Sequence, residues 1–185
     1  MVAAHRPSVL VGVTGQPGTF TASMIAAMAE SHERPIVMPL SNPTTFAEAT
    51  PADILEWSRG RAIVATGSPF DPVMVDGEAR VIGQANNMFI FPGMGLGAVV
   101  SRARSITVGM FLAAAEALAT QIDTATLRSG ALFPPIAAVR SVSRTVARAV
   151  ADRAAAEGVA QPLADPDAAI DAAMWEPEYL PYRAV

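Results

Sequence analysis

Four short apolar runs, each bounded by a turn of glycine, proline or asparagine and interleaved with helix signals, constrain this chain more than any other feature. Ser8-Val-Leu-Val-Gly-Val-Thr14 ends at Gly15-Gln16-Pro17-Gly18, and Thr21 opens an alanine- and methionine-rich stretch to Ala29. That order predicts a strand, a glycine turn and a helix. Arg34-Pro-Ile-Val-Met-Pro-Leu40 repeats the strand signal and stops at Ser41-Asn42-Pro43-Thr44, after which Pro51-Ala-Asp-Ile-Leu-Glu-Trp57 starts proline-first and acid-early, as helices do. A third run, Arg61 to Thr66, ends at Gly67-Ser68-Pro69-Phe70. A fourth, Met88-Phe-Ile-Phe91, is read as a further strand that follows Asn86-Asn87 and leads through Pro92-Gly93 into a helix. Strands alternating with helices at this spacing predict parallel pairing and an α/β layer.

From Thr107 onward the pattern is helical. In Pro135 to Ala156, Val139, Val142, Val146 and Val150 share one face, and Arg140, Arg144 and Arg148 recur on the other side, where a solvated stripe is the simplest expectation. Trp175 and Tyr179 mark a tail expected to pack its aromatic rings on the body of the protein.

Composition narrows the chemistry. The chain has 185 residues, enough for one ordinary domain with a sizeable core, and its mean hydropathy of +0.34 excludes a disordered chain. No apolar run is long enough to span a bilayer, and Met1 to Pro7 does not lead into the apolar core of a secretion signal. The net charge is −4 with no basic block, so neither nucleic acid nor a membrane surface is expected as a partner. There is no cysteine, which excludes disulfides and thiol chemistry and fits a cytoplasmic protein. Every basic residue is arginine, so no lysine base exists, and the two histidines, His5 and His32, both lie near the amino end. Acid–base chemistry from this chain would rest on carboxylates or on Tyr179 and Tyr182.

Ligands of parallel α/β sheets bind at the carboxyl ends of the strands. The turn at Val13, Thr14 and Gly15 falls there, although its spacing is not G-x-G-x-x-G and a plain tight turn explains its glycines equally well. Pro43 keeps Asn42 out of the helical region as the second strand ends, which places a neutral amide at the strand terminus. Such an amide can orient a carboxylate or carboxamide, or it can close an Asn-Pro turn on its own backbone. Asn86 and Asn87 carry the same two readings. Ser68 stands outside any G-x-S-x-G, and no histidine follows position 32, so serine-hydrolase chemistry is not expected. No acidic or histidine cluster has metal-ligand spacing.

Together these segments resemble the carboxyl-terminal part of malic enzymes. The likeness rests on Thr14-Gly-Gln-Pro-Gly18 with Phe20-Thr21, on Arg34 to Thr44, on Ala65-Thr-Gly-Ser-Pro-Phe70, on Asn86-Asn-Met-Phe-Ile-Phe-Pro-Gly93, and on Trp175 with Tyr179. The Gln16-Pro17 pair looks more like the bacterial NAD-linked members. The resemblance implies a partial Rossmann-type parallel sheet over residues 1–106, the second half of an NAD(P)-binding domain, followed by C-terminal helices over 107–185 that pack on it. It implies oxidative decarboxylation of L-malate to pyruvate, with NAD, or alternatively NADP, as cofactor and Mg²⁺ or Mn²⁺ in the complete enzyme. Val13, Thr14, Gly15, Ser41, Asn42 and Gly67 would then line the cofactor, and Asn42, Asn86 and Asn87 would face malate.

The family's catalytic lysine and tyrosine, its metal carboxylates and its first glycine-rich turn are expected to precede this chain, which leaves it with no catalytic residue and no metal ligand of its own. The expected partner is therefore an N-terminal malic-enzyme portion, or further copies of the chain, covering a bare sheet edge. A different class of reading is a stand-alone nucleotide-binding or regulatory module without catalysis.

Overall fold

A computed structural model describes residues 2–179, so Tyr182 lies outside the described residues. In chain order the elements are α1 (Val2–His5), β1 (Val9–Gly12), α2 (Ala22–Ser31), β2 (Ile36–Pro39), α3 (Pro51–Trp57), β3 (Ile63–Thr66), β4 (Val73–Val75), β5 (Glu78–Arg80), β6 (Gly83–Gln84), α4 (Phe91–Val100), α5 (Val108–Ala119), α6 (Thr124–Arg128), α7 (Val139–Ala156) and α8 (Pro166–Ala173). They form two compact units. One runs to Asn87 and takes in Ala119–Val139; the other combines Met88–Leu118 with the chain from Arg140 onward.

The first unit is built on a parallel sheet of order β1-β2-β3-β6. Val9 lies opposite Ile36, Ile36 opposite Ile63, and Ala65 opposite Gly83. Parallel neighbours need a crossover, and α2 and α3 supply it between successive strands. Both helices start where the side chains dictate. The Thr21 side chain accepts from Met24 N at 3.4 Å, and the Thr50 side chain accepts from Asp53 N at 3.2 Å, with Pro51 in the first turn, where its missing N–H costs nothing. Ile25 and Met28 of α2, Ile54 and Leu55 of α3, and Val37 and Val64 of the sheet are buried together with Phe20.

Two features of the fold depart from the sequence reading. Met88–Phe91 is not a strand: Asn87–Phe89 forms a 3-10 turn with Phe89 fully buried, and Phe91 and Pro92 already open α4. Proline at a helix start has no N–H to give a ladder, and a four-residue apolar run carries no period that separates strand from helix. The fourth sheet position goes instead to Gly83–Gln84. The β4–β5 hairpin is additional, turning at Asp76-Gly77 with φ of +52° and +82°, the left-handed pair that two-residue hairpin turns require.

In the second unit, Val142, Val146 and Val150 of α7 are buried, as their spacing predicts. A Cβ on Gly93 would stand 2.6 Å from Ser143 O and one on Gly97 2.5 Å from Ala147 O, so α4 meets α7 through its glycines. The arginine stripe is not simply solvated. Arg144 grips Asp171 at 2.5 and 2.8 Å, Arg148 holds Asp167 at 2.6 Å and Asp152 at 2.8 Å, and Arg140 holds Glu176 at 2.5 Å. Exposed pairs contribute about 0–1 kcal/mol each, so the stripe selects where α8 docks more than it stabilises the fold. The tail aromatics stay in solvent: Trp175 is 75% exposed and Tyr179 104%. Arg140 holds the Trp175 carbonyl at 3.0 Å, which fixes the backbone and leaves the ring outside.

β1 pairs only with β2 among the described residues, and Val9, Val11 and Val13 are 43, 49 and 76% exposed. An apolar unpaired edge invites another strand. The purified chain should therefore elute from size exclusion above its 19.2 kDa monomer mass; a single monomer peak over a range of concentrations speaks against this reading. Truncating the fully buried Ile54 to Ala should lower stability by about 2–5 kcal/mol in urea unfolding, and a loss under about 1 kcal/mol would mean that the α3–sheet core is not tightly packed.

Candidate functional site

Three turns leave the carboxyl ends of β1, β2 and β3, and backbone bonds lock them side by side. Leu40 N donates to Gly12 O at 2.8 Å, Gly67 N to Pro39 O at 3.2 Å, and Ala85 N to Thr66 O at 2.8 Å. The sequence-predicted residues Val13, Thr14, Gly15, Ser41, Asn42 and Gly67 therefore sit along one end of the sheet. Asn86 and Asn87 leave the carboxyl end of β6 at that same end, Asn86 half-buried and Asn87 exposed.

The turns are cross-linked by side chains. Gly15 N donates to Ser41 Oγ at 2.8 Å. Ser68 Oγ donates to Asn42 Oδ1, and Asn42 Nδ2 donates to Leu40 O at 3.3 Å. Asn42 thus does what a turn-closing asparagine does, yet it is exposed and keeps one N–H uncommitted. A Cβ on Gly67 would stand 2.1 Å from Leu40 O, so only glycine lets the second and third turns approach this closely. Gln84 Nε2 donates to Gly67 O at 3.0 Å and fixes the third turn from β6. Gln84 also lines a cavity of about 310 Å³ beside Phe70, Phe133 and Ile136, whose walls carry no titratable side chain.

The residue that sequence reasoning missed is Glu48. It is fully buried, and its Oε1 accepts from Thr14 N at 2.7 Å, Thr14 Oγ1 at 2.9 Å and Ser41 Oγ at 2.6 Å. Ser41 N lies 3.5 Å from Oε2. A Cβ on Gly12 would stand 2.6 Å from the Glu48 carboxyl carbon, so the glycine that ends β1 makes room for the carboxylate. Burial pushes the Glu48 carboxyl up, but the hydrogen bonds from Ser41 and Thr14 outweigh it and hold the group at about 2, against an ordinary 4.5. No sequence spacing announces it, because Glu48 sits 34 residues from Thr14 in an alanine-flanked loop.

Among the described residues no group of three acidic or histidine side chains could hold a metal ion, and no helix is long and apolar enough to cross a membrane. Parallel βα units with polar turns gathered at the carboxyl ends of the strands define a Rossmann-type nucleotide-binding fold. The family described as "Malic enzyme, NAD binding domain" matches residues 1–155. The chain belongs to that family. It is 52% identical over 139 residues to an NAD-dependent malic enzyme of Shewanella sp. (strain ANA-3) and 55% identical over 139 residues to that of Sodalis glossinidius, covering 75% of this chain and 25% of each relative. A crystal structure of Entamoeba histolytica malic enzyme superposes with a TM-score of 0.75 at 29% identity, over 94% of this chain and 33% of that one. The chain spans about a quarter of the length of the curated relatives it matches.

A carboxyl group held below its unfolded value stabilises the protein above the unfolded value, and that contribution is lost as pH falls toward the folded one. For Glu48 the window runs from 4.5 down to about 2. Its contribution is on the order of 3 kcal/mol. Urea midpoints measured across that window should fall with acidification in the parent chain and fall less in Glu48→Gln; equal slopes would remove Glu48 as the source.

Proposed function

We propose that this chain supplies one wall of the cofactor and malate site of an NAD-dependent malic enzyme, an enzyme that oxidises and decarboxylates L-malate to pyruvate. The single observation that carries this reading is the gathering of Thr14, Gly15, Ser41, Asn42 and Gly67 at one end of the sheet in a member of this family. In the proposal Val13, Thr14, Gly15, Ser41, Asn42 and Gly67 line the cofactor, and Asn42, Asn86 and Asn87 face malate. Residues 1–106 carry the cofactor half and 107–185 form a helical extension.

The turns fit a nucleotide. Cβ positions built on Gly15 and Gly18 meet nothing within 4 Å, so the backbone of the first turn faces open space. When bound, NAD supplies the hydride acceptor. The chain's own residues hold and orient: the Asn42 amide, braced by Ser68 and Leu40 O, offers a neutral donor that can align a carboxylate or carboxamide without adding charge. The described residues hold no cluster of acidic or histidine side chains suited to Mg²⁺ or Mn²⁺. In this reading the lysine and tyrosine chemistry and the metal ligands belong to an N-terminal malic-enzyme portion or partner chain, and the assembly works in the cytoplasm. Identity above 50% to NAD-dependent malic enzymes supports this over a stand-alone regulatory module.

The test is a chimera in which this chain replaces the matching segment of the Shewanella enzyme. It should reduce NAD in the presence of L-malate, while the chain alone should not. Asn42→Ala in the chimera should lower kcat/KM about tenfold or more, roughly the loss of one hydrogen bond to a charged or transition-state group, with the melting temperature nearly unchanged. A melting loss with kcat/KM intact would return Asn42 to a turn-forming role, and malate-dependent NAD reduction by the chain alone would overturn the division of labour.

A further inference from the structure

We propose that Glu48 is the positioning residue of the cofactor wall: it draws the Thr14 and Ser41 hydroxyl protons inward, so that the first two turns present hydrogen-bond acceptors and take an uncharged, hydrogen-bond-donating part of the nucleotide. This rests on the reading of these turns as part of an NAD site.

The argument is an inventory of protons. A serine or threonine hydroxyl has one proton to give and two lone pairs. Ser41 Oγ gives its proton to Glu48 Oε1 at 2.6 Å and uses one lone pair for Gly15 N at 2.8 Å. Thr14 Oγ1 gives its proton to the same oxygen at 2.9 Å and uses one lone pair for Gln16 N at 3.2 Å. Thr14 N is likewise spent on Glu48, at 2.7 Å. Three successive backbone N–H groups, those of Thr14, Gly15 and Gln16, are therefore already bonded within the protein. A phosphate-cradling turn needs such groups free and aimed outward. Here they are turned inward above a buried negative charge that no ion pair neutralises among the described residues, and both conditions disfavour a phosphate. Each hydroxyl keeps one lone pair unspent, and on the exposed Thr14 it is within reach of a carboxamide N–H or a ribose hydroxyl, while Ser41 is buried behind it.

Glu48 touches neither cofactor nor substrate in this scheme; it acts through Thr14, Ser41 and, by way of the Ser41 hydroxyl, Gly15. A carboxylate can accept from all of these at once. A glutamine keeps the shape but replaces one oxygen with a donor, which leaves a donor facing a donor on one side of the group.

The experiment uses the full chain, followed by amide NMR with hydrogen exchange and by NADH titration. In the parent chain the Thr14 and Gly15 amides, although in exposed residues, should exchange slowly. In Glu48→Gln they should exchange at least about tenfold faster, while Leu40 N in the β1–β2 ladder stays protected. NADH affinity should fall about tenfold or more in the same variant. Ser41→Ala, which removes the relay and one donor but keeps the carboxylate itself, should free the Gly15 amide and weaken NADH in the same direction, and it serves if Glu48→Gln does not fold. Inorganic phosphate should leave the Thr14 and Gly15 resonances in place. Unchanged turn amides, unchanged NADH affinity in a variant whose turn has loosened, or a phosphate-induced shift comparable with that from NADH would each overturn the proposal. Should the parent chain fail to bind NADH while its turn amides still depend on Glu48, the cofactor reading fails and the positioning role stands.

Discussion

A carboxylate with no countercharge among the described residues is buried where two loops meet, and the polar end of the sheet is arranged around it. Removing an ionised carboxyl from water costs several kcal/mol unless hydrogen bonds replace the lost solvent. Glu48 obtains them from the Thr14 and Ser41 main chain and hydroxyls, and none of the donors is charged. The requirement propagates through the sequence. Gly12 must lack a side chain for the carboxyl to fit, and Thr14 and Ser41 must both carry a hydroxyl at the residue that begins its turn. Their position follows from the pairing of β1 with β2, which places Gly12 opposite Pro39 and so brings the two turns level. The sheet register and the buried charge are two parts of one constraint.

Strand and helix order was legible because breakers and caps are local. Thr21, Thr50 and Pro51 act within three residues of themselves, so the boundaries of α2 and α3 can be read from the chain. Phe89 shows the limit: in a four-residue apolar run, burial in a 3-10 turn and burial in a strand look the same, and the difference lies in Pro92 and in Gly83–Gln84 taking the sheet position. The Asp76-Gly77 hairpin is encoded locally, by two residues that accept left-handed backbone, but its strands are three residues each and carry no clear period of two. Asn42 was singled out as a candidate because proline marks it. Glu48 was not, because its meaning depends on a partner 34 residues away.

The helical unit repeats this lesson with charges. The valine face of α7 follows from a period of 3.6 and is buried as that period demands. The arginine face has the same clarity of spacing, but spacing says only that the charges share a side. Their acids lie mostly on a different element, Asp167 and Asp171 on α8 and Glu176 beyond it, and no local rule links them. The tail is held by these polar contacts and not by its rings, which is why Trp175 remains in solvent while its carbonyl is bound.

Topology also decides which groups can take part in proton transfer at the site. His5 precedes β1 and His32 precedes β2, so both sit at the amino end of a parallel sheet whose polar turns lie at the other end. His32 is bonded there to Arg6 O at 2.7 Å. The carboxylate bonded into the turns is ionised and enclosed, with three donors on Oε1, and a group held at about 2 has too little affinity for a proton to act as a base near neutrality. The turns can therefore position and select but cannot themselves move a proton at Thr14, Ser41 or Glu48.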